Sequence, residues 1–136
     1  MPCLAVWALT LGLSGVARAD SDCLLENKTL RGSYVFAAKG YNVVSGVPQP
    51  KAIIELIVFN GDGTLMTPAV SRSINGVISR AAAGAPGTYT VDVGCTGTIS
   101  FSSGQVFDIY VSPKGDTIWM IQANQDTVFQ GTATKL

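Results

Sequence analysis

The chain has 136 residues, 47 % of them hydrophobic and only 13 % charged, with nine basic side chains, nine acidic ones and no His. That length suits a single domain, and a net charge of zero excludes the electrostatic footprint of a nucleic-acid binder. No basic run suits a membrane surface, and so apolar a composition predicts buried surface beyond one ordinary core.

Residues 1–19 read as a secretory signal. Leu4 to Val16 is apolar apart from Thr10 and Ser14, and Ala17, Arg18 and Ala19 fit a small-x-small cleavage site. No Lys or Arg precedes the apolar run, which is too short to span a bilayer comfortably. The expectation is a secreted or periplasmic protein, one domain over residues 20–136, with no membrane association after cleavage. Cys23 lacks the small apolar residues that precede a lipidated cysteine. Cleavage would remove Cys3 and leave Cys23 and Cys95. An even pair in an exported chain reads as a disulfide, and closing so long a loop is worth roughly 4 kcal/mol.

Residues 20–27 form a short irregular or one-turn helical lead-in. Asn27, Lys28 and Thr29 are formally a glycosylation acceptor. Residues 30–41 are the first strand, with Leu30, Gly32, Tyr34, Phe36 and Ala38 on one face. Residues 42–50, with Gly46, Pro48 and Pro50, read as a loop. Residues 51–60 are the most apolar strand. Ile53, Glu55, Ile57 and Phe59 share one face and Ala52, Ile54, Leu56 and Val58 the other, so both faces call for burial. Asn60, Gly61, Asp62 and Gly63 make a tight hairpin turn; they lack the alternating carboxylates and closing Glu of a calcium loop. Residues 64–78 are a long strand, bent at Pro68 and interrupted at Asn75 and Gly76. Residues 79–86 are a flexible connection.

Residues 87–101 form a hairpin with Cys95 at its corner. Tyr89, Val91 and Val93 alternate with Thr88, Thr90 and Asp92, and the pattern restarts at Ile99 and Phe101. Residues 105–111, 117–123 and 127–134 complete the strands, with turns at Pro113 to Asp116 and Asn124 to Asp126. About eight strands joined by short turns predict an all-β fold, an antiparallel meander closed into a small barrel, with a β-sandwich as the alternative. An interior of that size is either filled by side chains or holds one small ligand.

Without His there is no Ser-His-Asp or Cys-His system and no ordinary zinc site; the scattered carboxylates give no metal site, and no motif calls for a cofactor. Glu55 is the most informative residue. A carboxylate on an apolar interior face has a raised pKa and can serve as acid, base or ligand anchor. Phe59 fills the barrel end, so parity turns Glu55 inward; a bulge that sends it to solvent is the alternative. Asp108, between Val106 and Tyr110, is the second catalytic candidate. Tyr110 and Trp119 offer an aromatic wall for a planar ligand, and Tyr34, Arg72 and Gln122 are polar partners for a ligand or for Glu55. The outward face of the second strand predicts self-association.

The residue order resembles a family of small secreted bacterial β-barrel proteins, mostly of unknown function. It runs from Cys23 through Leu30, Gly32, Tyr34 and Phe36, to Phe59, Gly61 and Gly63. It continues with Gly87 to Val91, Cys95 to Thr98, Ile121 with Gln122, and Gly131 to Ala133. More distantly the chain is similar to pyocyanin demethylase and to the allene oxide cyclase and lipocalin-like barrels. The resemblance implies a secreted homo-oligomer, a trimer in the demethylase. It also implies a cofactor-free reaction on a phenazine, using acidic and His pocket side chains, and this chain has no His. Three functions are therefore expected: a barrel binding a small apolar or aromatic molecule, a cofactor-free enzyme of the demethylase or cyclase kind, and a structural or interaction protein with a filled barrel. A cavity with a converging carboxylate favours the enzyme, a cavity without one the binder, and no cavity the structural protein.

Overall fold

The computed structural model describes residues 25–136. The expected signal segment and Cys23 lie outside the described residues. A single 3-10 turn, Asn27–Thr29, leads into nine strands: β1 Arg31–Val44, β2 Val47–Asn60, β3 Thr64–Ile74, β4 Val77–Ala81, β5 Gly87–Val91, β6 Thr96–Phe101, β7 Val106–Val111, β8 Thr117–Gln122 and β9 Thr127–Lys135. Eight of them close on themselves antiparallel in the order β1, β2, β3, β5, β6, β7, β8, β9. The ninth, β4, extends β3 beyond its short pairing with β5. The fold is an all-β barrel with one added strand.

Two stretches that the sequence marks as irregular are pairing strands. β1 and β2 run through residues 42–50 as one long hairpin, turning at Ser45 and Gly46, both with positive φ. That two-residue turn matches strand twist. Pro48 and Pro50 are tolerated because β3 begins to pair with β2 only at Lys51, so Pro48 sits on a free edge and Pro50 offers that side only its carbonyl, which accepts the Asn75 N–H at 2.8 Å. Asn75 and Gly76, again at positive φ, make the same turn between β3 and β4. Pro68 marks a bulge. Leu56 pairs with Ala69 but Val58 with Met66, so β3 carries one extra residue.

The barrel is tightly coiled where β1 meets β9. A Cβ on Gly40 would lie 1.8 Å from the Val128 carbonyl, and one on Gly131 would lie 2.1 Å from that of Ala37. Only residues without a side chain let the two backbones cross so closely.

One end is sealed. Tyr34, Phe59 and Tyr89 meet edge to face there, with centroids 5.1 and 5.0 Å apart. The Tyr89 hydroxyl lies 2.8 and 2.9 Å from the carbonyls of Asn27 and Leu30, and the Val91 N–H donates to Asn27 Oδ1 at 2.7 Å. The Asn27 side chain is therefore a structural cap over the end. Cys95 is buried at this same end, in the β5–β6 turn.

The outer surface is unusually apolar. Ile54 is 61 % exposed, and Trp119, Ile121 and Val128 are about as open. Register joins them: Ile54 faces Ala37, Ala37 faces Thr132, and Thr132 faces Trp119. Residues of β1, β2, β8 and β9 line a broad concavity on this surface.

Candidate functional site

The other end of the barrel is open. There the interior face of β2 carries Lys51, Ile53, Glu55, Ile57 and Phe59 in period two. Ile57 and Phe59 go into the packed core, whereas Lys51, Ile53 and Glu55 reach the mouth. β3 delivers Arg72 to the same place through its bulge. Leu65 and Thr67 face inward before the extra residue, and Val70 and Arg72 do so after it. The result is a cavity of about 470 Å³.

Its floor is aromatic. Phe107 meets Phe36, Phe101 and Phe129 at centroid distances of 5.7, 5.9 and 6.3 Å. Its rim is polar and fixed by hydrogen bonds. Lys51 Nζ donates to Gln122 Oε1 at 3.1 Å and to Asn42 Oδ1 at 3.2 Å, and it lies 4.0 Å above the Phe129 ring. Gln122 Nε2 donates in turn to Asn124 Oδ1 at 2.9 Å, so the amide presents its oxygen to Lys51. Burial, with some help from Arg72, lowers the Lys51 pKa.

Glu55 is 8 % exposed, and among the described residues its carboxyl makes no hydrogen bond or ion pair. Burial pushes its pKa up to about 7, against a downward pull from the Arg72 guanidinium. The connector between β4 and β5 closes over it. Gly84 N–H donates to the Thr67 carbonyl at 2.7 Å, and Thr67 Oγ1 donates to that of Ala85 at 2.9 Å. This strap runs so close that a Cβ on Gly84 would lie 3.0 Å from Glu55 Oε1. A carboxyl that exchanges its proton near neutrality, beside an apolar cavity, is chemically suited to general acid or base work.

Glu55, Arg72 and Gln122 thus come together on the cavity wall. Four other sequence candidates do not. Tyr34 is buried at the sealed end, where its hydroxyl donates to the Gly115 carbonyl; burial and then Asp116 push its pKa up to about 12. Asp108 and Tyr110 point outward because Phe107, Ile109 and Val111 take the inner face of β7. Trp119 is outward because Ile118, Met120 and Gln122 take that of β8. Tyr110 and Trp119 do meet, at 5.8 Å, but on the outer surface, where they are 45 % and 49 % exposed. Trp119 and Gln122 have opposite parity on one strand, so a wall containing both was never open to a regular strand.

Sequence reasoning missed Lys51, Asn42 and the Phe floor. Lys51 shares the parity of Glu55 and was readable from it. Asn42 was hidden by the assignment of its segment to a loop. Among the described residues no group of three or more His, Cys, Asp and Glu side chains could hold a metal ion. Comparison of the chain with protein-family models, with curated proteins and with solved structures finds no match.

Proposed function

We propose that this protein binds a small apolar or aromatic molecule in the mouth of its barrel and does so outside the cytoplasm. The observation that carries the reading is the aromatic-floored cavity of about 470 Å³ with a hydrogen-bonded polar rim. Its size and its mixture of apolar wall and few polar groups are those of small-molecule sites. The export expected from residues 1–19 supplies the compartment, and a Cys23–Cys95 disulfide at the sealed end belongs to the same proposal. So does self-association through the outer apolar surface, with a second copy as the partner.

Glu55 favours a second reading, catalysis without a cofactor. It is the interior carboxylate that the enzyme hypothesis requires, and its pKa of about 7 suits proton transfer at neutral pH. Binding is common to both readings and is tested first. Isothermal titration with naphthalene carboxamide, a neutral aromatic probe, should give saturable binding of one probe per barrel. Val70→Trp, which fills the cavity from β3, should abolish it. Binding unaffected by that substitution would move the site elsewhere.

A further inference from the structure

Resting on that reading, we infer that the molecule is a monocarboxylate, its anionic group held at the rim by Lys51 and Arg72 and its apolar body lying on the Phe floor. Three observations lead there. First, the cavity wall carries two cations and one acid: Lys51, Arg72 and Glu55 are its only charged or titratable side chains among the described residues. The elements around Glu55 contribute Phe36 from β1, Thr67, Val70 and the charged Arg72 from β3, and Gly84 from the strap; Arg72 is the charge that acts on it. Second, neither cation has a carboxylate partner. Among the described residues the one ion pair is Lys28 with Glu26, on the surface. Third, Lys51 is anchored rather than loose. Two of its three N–H groups go to Asn42 and Gln122, which leaves one to offer.

Lys51 is half-buried, and a partly desolvated cation without a counter-charge is costly; Arg72 stands exposed at the mouth beside it. Glu55 does not neutralise these two, because it lies outside ion-pair distance of both and keeps its proton to about neutrality. An anion arriving at the rim would supply the missing charge, and the planar guanidinium fork fits a carboxylate. A cationic ligand would meet two like charges. A ligand with more than two anionic groups would outnumber the cations and leave at least one group facing Phe rings or Glu55. The same geometry sets a pH dependence. An arriving carboxylate is compatible with protonated Glu55 and is opposed by ionised Glu55, so binding weakens as pH rises through the Glu55 pKa.

Three matched probes test this on the full exported chain: naphthoate, naphthalene carboxamide and naphthylmethylammonium. At about pH 6 naphthoate should bind at least ~10-fold more tightly than the carboxamide, and the ammonium least. That advantage should shrink by about pH 8.5 in the wild type and persist there in Glu55→Gln. Arg72→Met and Lys51→Met should each reduce it, with carboxamide binding reporting that the cavity is intact. Equal affinity for acid and carboxamide, or a preference for the ammonium, would overturn the carboxylate assignment and leave the binding site standing. Failure of all three probes to bind would overturn both.

Discussion

Glu55→Gln changes one atom of a buried side chain and should change how stability depends on pH. In the folded barrel the Glu55 carboxyl is raised from 4.5 to about 7. Below pH 4.5 it is protonated whether the chain is folded or not, and its contribution is fully present. Between 4.5 and 7 the folded state holds a proton that the unfolded state has lost, so stability falls as pH rises, and the loss is complete above about 7. A displacement of that size corresponds to about 3 kcal/mol, and water at the open mouth reduces it to about 1–3 kcal/mol. Gln is neutral throughout. The wild type should therefore match Glu55→Gln near pH 4.5 and be less stable than it by that amount near pH 8. Denaturant unfolding at intervals across this range measures the difference. Taking wild type minus variant cancels the slopes from Lys51, whose pKa is lowered, and from Asp62 and Asp116, whose pKa values are held low by side-chain hydrogen bonds from Thr64 and Ser112. A difference that stays constant from pH 4.5 to 8 would refute the burial of an unpaired carboxyl at this position.

Gly84→Val should destabilise the fold by about 1–3 kcal/mol and shrink the mouth, since its Cβ would lie 2.4 Å from Thr67 Oγ1 and 3.0 Å from Glu55 Oε1; unchanged unfolding and probe affinity would show that the strap yields freely. Mass spectrometry of the exported, non-reduced protein should find one peptide pair linked through Cys23 and Cys95, and two alkylatable thiols would count against it. The paired change Ile54→Ser and Trp119→Ser should convert a self-associated species to monomer in sedimentation velocity at micromolar concentration. These side chains stand on the same outer surface and make no contribution to the core, so the monomer should keep its fold; a wild type that already sediments as a monomer would sink the idea.

The architecture was legible because short turns punctuate period-two stretches, and each turn has its own chemistry. Asn60 to Gly63 and Pro113 to Asp116 both join neighbouring strands, whereas Asn75 and Gly76, expected as an interruption within one strand over 64–78, turn the chain into the separate strand β4. The hairpin over residues 87–101 pairs as its alternation requires, Tyr89 opposite Ile99. What misled was proline. Pro48 and Pro50 argue against a strand in general, yet a strand with one unpaired edge accepts them, and whether an edge is free depends on where β3 begins. That is a tertiary fact, absent from the local sequence. The same holds for Ser45 and Gly46, an ordinary hairpin turn obscured by the prolines around it.

The site divides along the same line. Glu55 was reachable because β2 is regular from Phe59 to Lys51, so one confident inward residue orients the rest. On β7 both faces offer large side chains, and parity alone gives Tyr110 and Phe107 equal claim to the interior. The structure awards it to Phe107 through the cluster it forms with Phe36, Phe101 and Phe129, three residues from three other strands. Arg72 shows the sharper limit. Counting in twos from Leu65 sends it outward; the extra residue at the Pro68 bulge turns it inward. Were the same residues of β3 paired without a bulge, Arg72 would face outward and Glu55 would share the mouth with Lys51 alone. Deleting Pro68 should instead take out the extra residue, leave Thr67, Val70 and Arg72 alternating inward without a bulge, and keep both cations and the selectivity for a carboxylate; loss of that selectivity with the fold intact would refute this reading of the bulge.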